Sequence, residues 1–269
     1  PPPTTQDGGH YDAANSMAPS DFESFKVIEM RARYFVHPKI EMNIFIPFVN
    51  NKQEWLGMES KIFGPGDISL LAGYHLIEKL DGEKFKHRLI VGLGAKIPTG
   101  KSDYTYSDGD RLPIFLQGGT GSFDGLGMIS WSCSYQDWVW GISLANKYNG
   151  SNKYDEKILP TTVTTAFITR VHEKGNWTFM PQMLFHQEYS QGLQQGEYLV
   201  PGTFTNLILA GAGLEAYYKK MGFSLSLQLP LYQEVYYMDM KIAGKLSAGI
   251  SYNFGTEKYL CGSKKEESK

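Results

Sequence analysis

Ionisable side chains recur at alternate positions along this 269-residue chain, each opposite an apolar neighbour. A charge in a dry protein interior is costly unless it is paired, so a face carrying so many must be wet or salt-bridged. Two chemistries fit: an internal ion-pair network that stiffens the fold, or a pore lining whose acidic and basic walls orient a polar solute. The residues that the alternation assigns to this interior are Glu29, Arg31, Arg33, Glu41, Asp67, His75, Arg88, Lys96, Arg170, His186, Glu188, Glu215 and Lys245.

Other kinds of site find little support in the sequence. The glycines of Gly118-Gly119-Thr120-Gly121-Ser122 lead into a strand pattern, whereas a phosphate-binding P-loop needs Gly-Lys-Ser/Thr before a helix. His75 and His186 fall on the interior face without the close ligand spacing and carboxylate partner of a metal site. We therefore predict no catalytic residues, no metal and no cofactor.

The elements that position these charges are strands, because apolar residues recur with period two. Ile40, Met42, Ile44, Ile46 and Phe48 share one face, for example. Helical periodicity is scarce, and no run of about 18 apolar residues could form a transmembrane helix. Eleven strands are predicted, at 22–35, 39–49, 67–77, 88–97, 124–135, 138–145, 160–171, 177–186, 205–218, 223–229 and 242–254.

The connections between these strands alternate in length. Short turns are expected at 37–38, 78–84, 136–137, 172–176 and 219–222, and longer loops at 49–66, 98–123, 149–159, 189–204 and 231–240. Short turns at one end and long loops at the other are typical of outer-membrane barrels. A soluble β-sandwich is the alternative, but its strands average ~5–6 residues and these are longer. The pattern predicts an all-β fold, a transmembrane antiparallel up-and-down β-barrel of about 12 strands.

Composition agrees with a membrane barrel. The chain has 17 Tyr, 15 Phe, 5 Trp and 29 Gly, and barrels use aromatic girdles at the two membrane interfaces and glycine where strands bend. We assign Trp138, Trp140, Trp177, Tyr252 and Phe254 to such a girdle. The net charge of −2 gives no sign of nucleic-acid binding. Two cysteines, Cys133 and Cys261, make neither a disulfide framework nor a metal pattern.

An odd strand number is unexpected, because bacterial single-chain barrels have an even number. The strand 22–35 enters a short turn, so residues 1–20 are predicted to be an extracellular loop. The closing strand is then expected before Pro1. The barrel domain is predicted to cover residues 1–254, and residues 255–269 to form a polar periplasmic tail.

Three stretches resemble one family when taken together: Gly64-Pro65-Gly66-Asp67-Ile68-Ser69-Leu70, Gly92 to Lys101, and Gly118 to Asp124. They are similar to outer-membrane "transporter" proteins related to the meta-pathway of phenol degradation, in the form found in Bacteroidetes. The chain departs from that pattern at Gly118, where a proline is expected, and in its charged C-terminal tail. The resemblance implies a Gram-negative outer-membrane barrel that handles small molecules and begins with one more strand.

The function predicted from these observations is a porin-like channel or transporter that passes small molecules passively across the outer membrane. A plugged barrel serving as an accessory subunit of an outer-membrane complex is the first alternative. A lipid hydrolase is the second, and it requires a lipid-facing His beside a Ser. Expected partners are outer-membrane lipid, a small-molecule solute and other outer-membrane proteins, with no nucleic acid.

Overall fold

A computed structural model describes residues 22–55, 58–79, 84–235 and 241–254 of the chain. Within these ranges no helix is long and apolar enough to span a membrane. The regular elements are sixteen strands. They are β1 (Phe22–His37), β2 (Ile40–Trp55), β3 (Met58–Pro65), β4 (Ile68–Lys79), β5 (Phe85–Ile97), β6 (Asp124–Tyr135), β7 (Trp138–Asn149), β8 (Glu156–Ile158), β9 (Thr161–Arg170), β10 (His172–Lys174), β11 (Trp177–Ser190), β12 (Leu193–Gln195), β13 (Tyr198–Val200), β14 (Thr205–Tyr218), β15 (Met221–Val235) and β16 (Lys245–Tyr252).

One curled antiparallel sheet contains the long strands, in the order β1-β2-β4-β5-β6-β7-β9-β11-β14-β15-β16. These strands correspond one by one to the eleven predicted from alternation, so the all-β antiparallel fold is confirmed. Each strand pairs with the next along the chain, except that the short strands β3 and β10 attach beside β2 and β11. A small separate sheet joins β8, β12 and β13.

The region 49–66 differs from the prediction of a long loop. It forms a hairpin, in which the end of β2 pairs with β3 from Phe48↔Pro65 to Trp55↔Met58. The reason lies in the run Asn50-Asn51-Lys52-Gln53-Glu54, which is polar on both faces and so gives no period-two signal. The sequence predicts no strand at β8, β12 or β13, because three residues are too few to show alternation.

The two ends of the sheet differ, as predicted. The turn end carries the connections 38–39, 136–137, 175–176 and 219–220, where Gln136, Gly175 and Lys219 adopt left-handed backbone angles of 52°, 60° and 53°. Positive φ is what tight hairpin turns between right-twisted strands require. The loop end carries the β2–β3 hairpin, residues 98–123 and the segments that hold β8, β12 and β13.

The two faces of the sheet are distinguished by residue type and by burial. Directly paired residues lie on the same face, so the register carries one polar face from strand to strand, for example from Glu41 through Gly73 to Gly92. Glu41, His75 and Lys96 on this face are buried, whereas Leu93, Met183 and Ile250 on the opposite face are 73%, 70% and 77% exposed. The polar face is therefore the inside of the curl, and the apolar face is the outside.

The edges of the described sheet are β1 and β16, and they run in the same direction, from the loop end to the turn end. An antiparallel partner for both would have to run the opposite way between them. The expected closing strand before Pro1 stays a prediction. The predictions for residues 1–20, for Cys261 and for the tail 255–269 lie outside the described residues.

Close strand packing depends on glycine at Gly94 on β5. A Cβ there would lie 2.2 Å from the Leu70 carbonyl oxygen and 3.0 Å from the Leu71 Cα. Gly94→Ala should therefore lower the free energy of unfolding by ~1–3 kcal/mol, the usual cost of overpacking. Gly127→Ala on β6 is the matched control, because nothing lies within 4 Å of its Cβ position. Urea titration of the refolded protein measures both, and equal midpoints would contradict this packing.

Candidate functional site

Aromatic side chains encircle the turn end of the apolar face. Tyr135↔Trp138 and Trp177↔Tyr218 are cross-strand pairs beside two turns, and Tyr252 pairs with Met221 beside a third. Tyr252 also packs on Phe254, with ring centroids 4.8 Å apart. Trp140 lies two residues further up β7, opposite Ile168. That these residues form a membrane-interface girdle stays a prediction. Their position at a similar height along the strands, close to the turns, agrees with it.

Tyrosines occupy the same apolar face at the loop end. Tyr148 and Tyr189 are exposed there, on β7 and β11. Trp138 and Tyr148 are ten residues apart on β7, which at ~3.3 Å per residue and a tilt of about 40° gives a height of roughly 25 Å. That height equals the apolar band of outer-membrane barrels.

A buried ion-pair network, here named the loop-end cluster, lies on the polar face and comprises Asp67, Lys96, Thr120, Ser122, Asp124 and Lys147. The Lys96 ammonium donates to Asp67 Oδ2 at 2.5 Å, to Thr120 Oγ1 at 2.6 Å and to the Ser122 carbonyl at 2.9 Å. It also lies 3.1 Å from Asp124 Oδ2. Because both carboxylates are almost fully buried, Lys96 is the charge that makes their burial tolerable.

The register explains why these groups meet. Lys96 is the directly paired residue of Asp124 across β5 and β6. Ser122 Oγ donates to Asp124 Oδ1 at 2.7 Å, and the Lys147 ammonium lies 3.6 Å from Asp124 Oδ2. Basic and acidic side chains thus alternate from one strand to the next along the polar face. Further along the wall, Glu188 on β11 lies 3.9 Å from His186 and within electrostatic range of Lys147 and Lys245.

A second polar group, the turn-end cluster, comprises Glu41, His75, Glu78 and Arg88. His75 Nε2 lies 3.3 Å from Glu41 Oε2, and His75 Nδ1 lies 3.6 Å from Glu78 Oε1. Arg88 Nη2 contacts Glu78 Oε1 at 3.0 Å. The sequence places Glu78 in the predicted turn 78–84, whereas β4 extends to Lys79 and a bulge between His75 and Ile77 brings Glu78 onto the polar face.

Arg31 and Arg33 on β1 continue the polar face to the sheet edge. Arg31 forms an ion pair with Glu29, and Arg33 on the same face is paired with Asn43 of β2. Tyr217 on β14 donates a hydrogen bond to Glu215 Oε2 at 2.7 Å. Glu215 and Tyr217 lie on the same polar face as Arg33, although β14 is far from β1 in the order of the sheet.

Arg170 is the exception among the predicted interior residues. The register pairs it with Trp138 on the apolar face, and its guanidinium lies 5.9 Å from the Trp138 ring centroid. The interior assignment of Arg170 is corrected accordingly. It followed from the alternation of β9, whose polar threonines occupy both faces and therefore do not fix the phase. At the end of the strand, a cation stacked on an aromatic ring can reach water.

The remaining predicted residues lie on the polar face, but whether they line an open pore stays a prediction. Between the two clusters this face carries small and apolar side chains, among them Leu71, Met128, Phe167 and Leu209, together with Ser130 and Ser143. The wall is therefore polar at both levels and less polar between them.

Residues 98–123, here named the strap, form a packed structure at the loop end. Leu112 and Leu116 bury against Ile62 of β3. Arg111 Nη1 contacts Glu156 Oε2 at 2.6 Å, and the Arg111 guanidinium lies 4.0 Å from the Tyr154 ring centroid. A hydrogen bond with Tyr154 raises the pKa of neighbouring Lys153 above its ordinary value.

The loop-end cluster has a signal in the sequence that alternation alone does not reveal. The three stretches on which the family resemblance rests supply Asp67, Lys96, Thr120, Ser122 and Asp124, so separate motifs converge on one network. Asp124 and Lys147 were not predicted as interior residues.

His87 lies on the apolar face, opposite Cys133, and stacks on Phe85 and Trp131. A lipid hydrolase needs a Ser beside its lipid-facing His, whereas these neighbours of His87 are aromatic rings. Within the described ranges, no group of three or more His, Cys, Asp or Glu residues is placed to hold a metal ion.

Comparison with solved structures shows a likeness of fold. No protein-family model matches the chain, and no curated protein matches it. A crystal structure of an outer membrane channel from Pseudomonas putida F1 matches with a TM-score of 0.61 over 84% of this chain and 80% of that chain. The fold is that of an outer membrane channel. Sequence identity is 11%, so the likeness concerns the fold, and the neighbouring structure is a channel rather than an enzyme.

Proposed function

We propose that the protein is an outer-membrane channel for the passive passage of small molecules. The observation that carries this proposal is the inner face of the curled sheet, which bears Arg33, Glu215 and Tyr217 and has polar clusters at both ends. A solute that crosses would exchange its water shell for contacts with these groups. The outer face, apolar between two aromatic levels roughly 25 Å apart, suits the hydrocarbon layer of a membrane.

The membrane is the outer membrane of a Gram-negative bacterium in this proposal, with the loop end extracellular and the turn end periplasmic. The support is the likeness of fold to an outer membrane channel and the alternation of short and long connections. We also propose membership of the transporter family related to the meta-pathway of phenol degradation, as found in Bacteroidetes. Its support is that the three resembling stretches form one structural unit.

A second candidate function is a plugged barrel that serves as a membrane-embedded subunit of a larger complex. The packed strap favours it, because residues 98–123 bury apolar side chains and cover polar groups at the loop end. In this case the ion-pair clusters would only fill and stiffen the interior. The two candidates differ in whether the folded protein passes ions.

Ion selectivity tests whether the polar face is the conducting surface. Arg33→Glu should shift the reversal potential in a salt gradient toward cation preference, because it changes the wall charge by two units at the inner face. Lys219→Glu is the matched control: the same change in charge at an exposed turn, where Lys219 stacks on Tyr218 of the outer face. Reversal potentials in planar bilayers measure both, and an equal shift in the two variants would contradict the proposed lining.

A further inference from the structure

The strap lies over the inner side of the sheet rather than beside it. Asn51 shares the polar face with Glu41 because both are odd-numbered positions of β2, and Asn51 is paired with Ile62 on β3. Asn51 Nδ2 donates to the Leu116 carbonyl at 3.2 Å. Tyr106 Oη donates to Gln53 Oε1 at 2.9 Å. These contacts seat the strap on the concave side of the β2–β3 hairpin.

The strap also contacts a second part of the wall at the loop end. Arg111 binds Glu156, and Asn152 Nδ2 donates to the Thr120 carbonyl at 3.1 Å. Both partners belong to the connection between β7 and β9, which β4, β5 and β6 separate from β2 in the sheet. The strap therefore bridges two parts of the wall across the loop end.

One carboxylate ties the two ends of the strap together. Asp67 Oδ1 accepts a hydrogen bond from the Gly100 amide at 2.9 Å, and Asp67 Oδ2 accepts one from the Thr120 amide at 2.9 Å. Gly119 passes so close that an added Cβ would lie 2.3 Å from Asp67 Oδ1. Lys96 then joins this carboxylate to Asp124 at the start of β6. The whole arrangement is buried, which makes it strong and specific.

We propose that Asp67, Lys96 and Asp124 are positioning residues that hold the strap across the mouth, where it sets the largest solute that passes. The inference rests on the proposed channel function and deepens it. A strap tethered at both ends and braced on two walls narrows the entrance, and its position depends on one buried carboxylate. Asparagine in place of that carboxylate would accept from only one of the two terminal amides of the strap and would not pair with Lys96.

The test replaces Asp67 by Asn in the full chain, which keeps the side-chain shape and removes the charge. Trypsin cleavage after Arg111 in reconstituted vesicles should rise by about 100-fold, because breaking a buried ion pair favours local opening. Entry of graded sugars into the vesicles should extend to larger sizes. Thr120→Val, which removes the hydroxyl contacts to Lys96, Asp67 and Ser122 but keeps the Asp67 carboxylate, should give a smaller change in the same direction.

Asp103→Asn is the control, since Asp103 lies on the same strap but is solvent-exposed, with lysines 3.6 and 3.8 Å away. Folding of every variant is checked by heat-dependent gel mobility. A folded Asp67→Asn protein with wild-type cleavage would overturn the tether, and a cleavable strap with an unchanged size limit would overturn its role in selection. If Arg111 becomes cleavable while no variant, nor the wild type, passes any solute, the channel function fails and the tether stands.

Discussion

Lys96→Met should lower the free energy of unfolding by ~3–5 kcal/mol, the cost expected when one partner of a buried ion pair is removed. Lys96 lies 2.5 Å from Asp67 and 3.1 Å from Asp124, and both carboxylates are buried on the polar face. Lys147, at 3.6 Å from Asp124, compensates only one of them and is itself partly exposed. Methionine fills a similar volume, so the loss is one of charge rather than of packing.

Lys101→Met provides the control for this experiment. Lys101 is five residues further along, is exposed, and lies 3.8 Å from the exposed Asp103. An exposed pair of this kind contributes ~0–1 kcal/mol, so the variant should unfold at nearly the wild-type urea concentration. Tryptophan fluorescence during urea titration in detergent micelles reports both. Similar midpoints for Lys96→Met and wild type would contradict the importance of the loop-end cluster for stability.

Leu227→Arg should impair insertion into the membrane by ~2–4 kcal/mol, as expected for a cation on the lipid face near the bilayer midplane. Leu227 is on the apolar face near the middle of β15, paired with Ala212 and Leu246, and half of its surface is exposed. No polar partner stands directly opposite it on either neighbouring strand. The guanidinium of the new arginine would have to lie in the hydrocarbon layer, or its side chain would have to extend to the membrane interface.

Ser226→Arg, one residue earlier, is the matched control. Ser226 is paired with Gly213 and Ser247 on the polar face, where an arginine can stay hydrated or meet Glu215. Refolding yield into lipid vesicles, followed by heat-dependent gel mobility, measures both variants. Equal tolerance of arginine at the two positions would contradict the assignment of the faces.

The number and order of the long strands can be predicted from the sequence, because one face of each of them is nearly uniform in polarity. Leu225, Leu227 and Leu229 alternate with Ser224, Ser226 and Gln228, and a slip of one residue would exchange the faces. The phase was lost where both faces are polar. For this reason the sequence predicts a loop at 49–66, where the structure has a hairpin, and an interior position for Arg170, which lies on the apolar face.

The alternation of polar and apolar residues does not predict the two ion-pair clusters. Alternation shows that Lys96 lies on the polar face but not which charges stand beside it, since that depends on strand register and on how the strap returns. The bulge that brings Glu78 to His75 and Arg88 likewise has no marker in the sequence. The three stretches that resemble the transporter family meet at Asp67 and Lys96. That meeting can be predicted only if the three stretches are assumed to be in contact in the folded protein.

We propose that the inner face of this curled sheet conducts, and single-channel recording of the purified protein in a planar bilayer tests that proposal most directly. A wet polar face predicts steady openings in the wild type, with a larger conductance when Asp67→Asn releases the strap. A correctly folded protein that stays silent in both forms would contradict the channel. That result would instead favour a plugged barrel that acts as an accessory subunit.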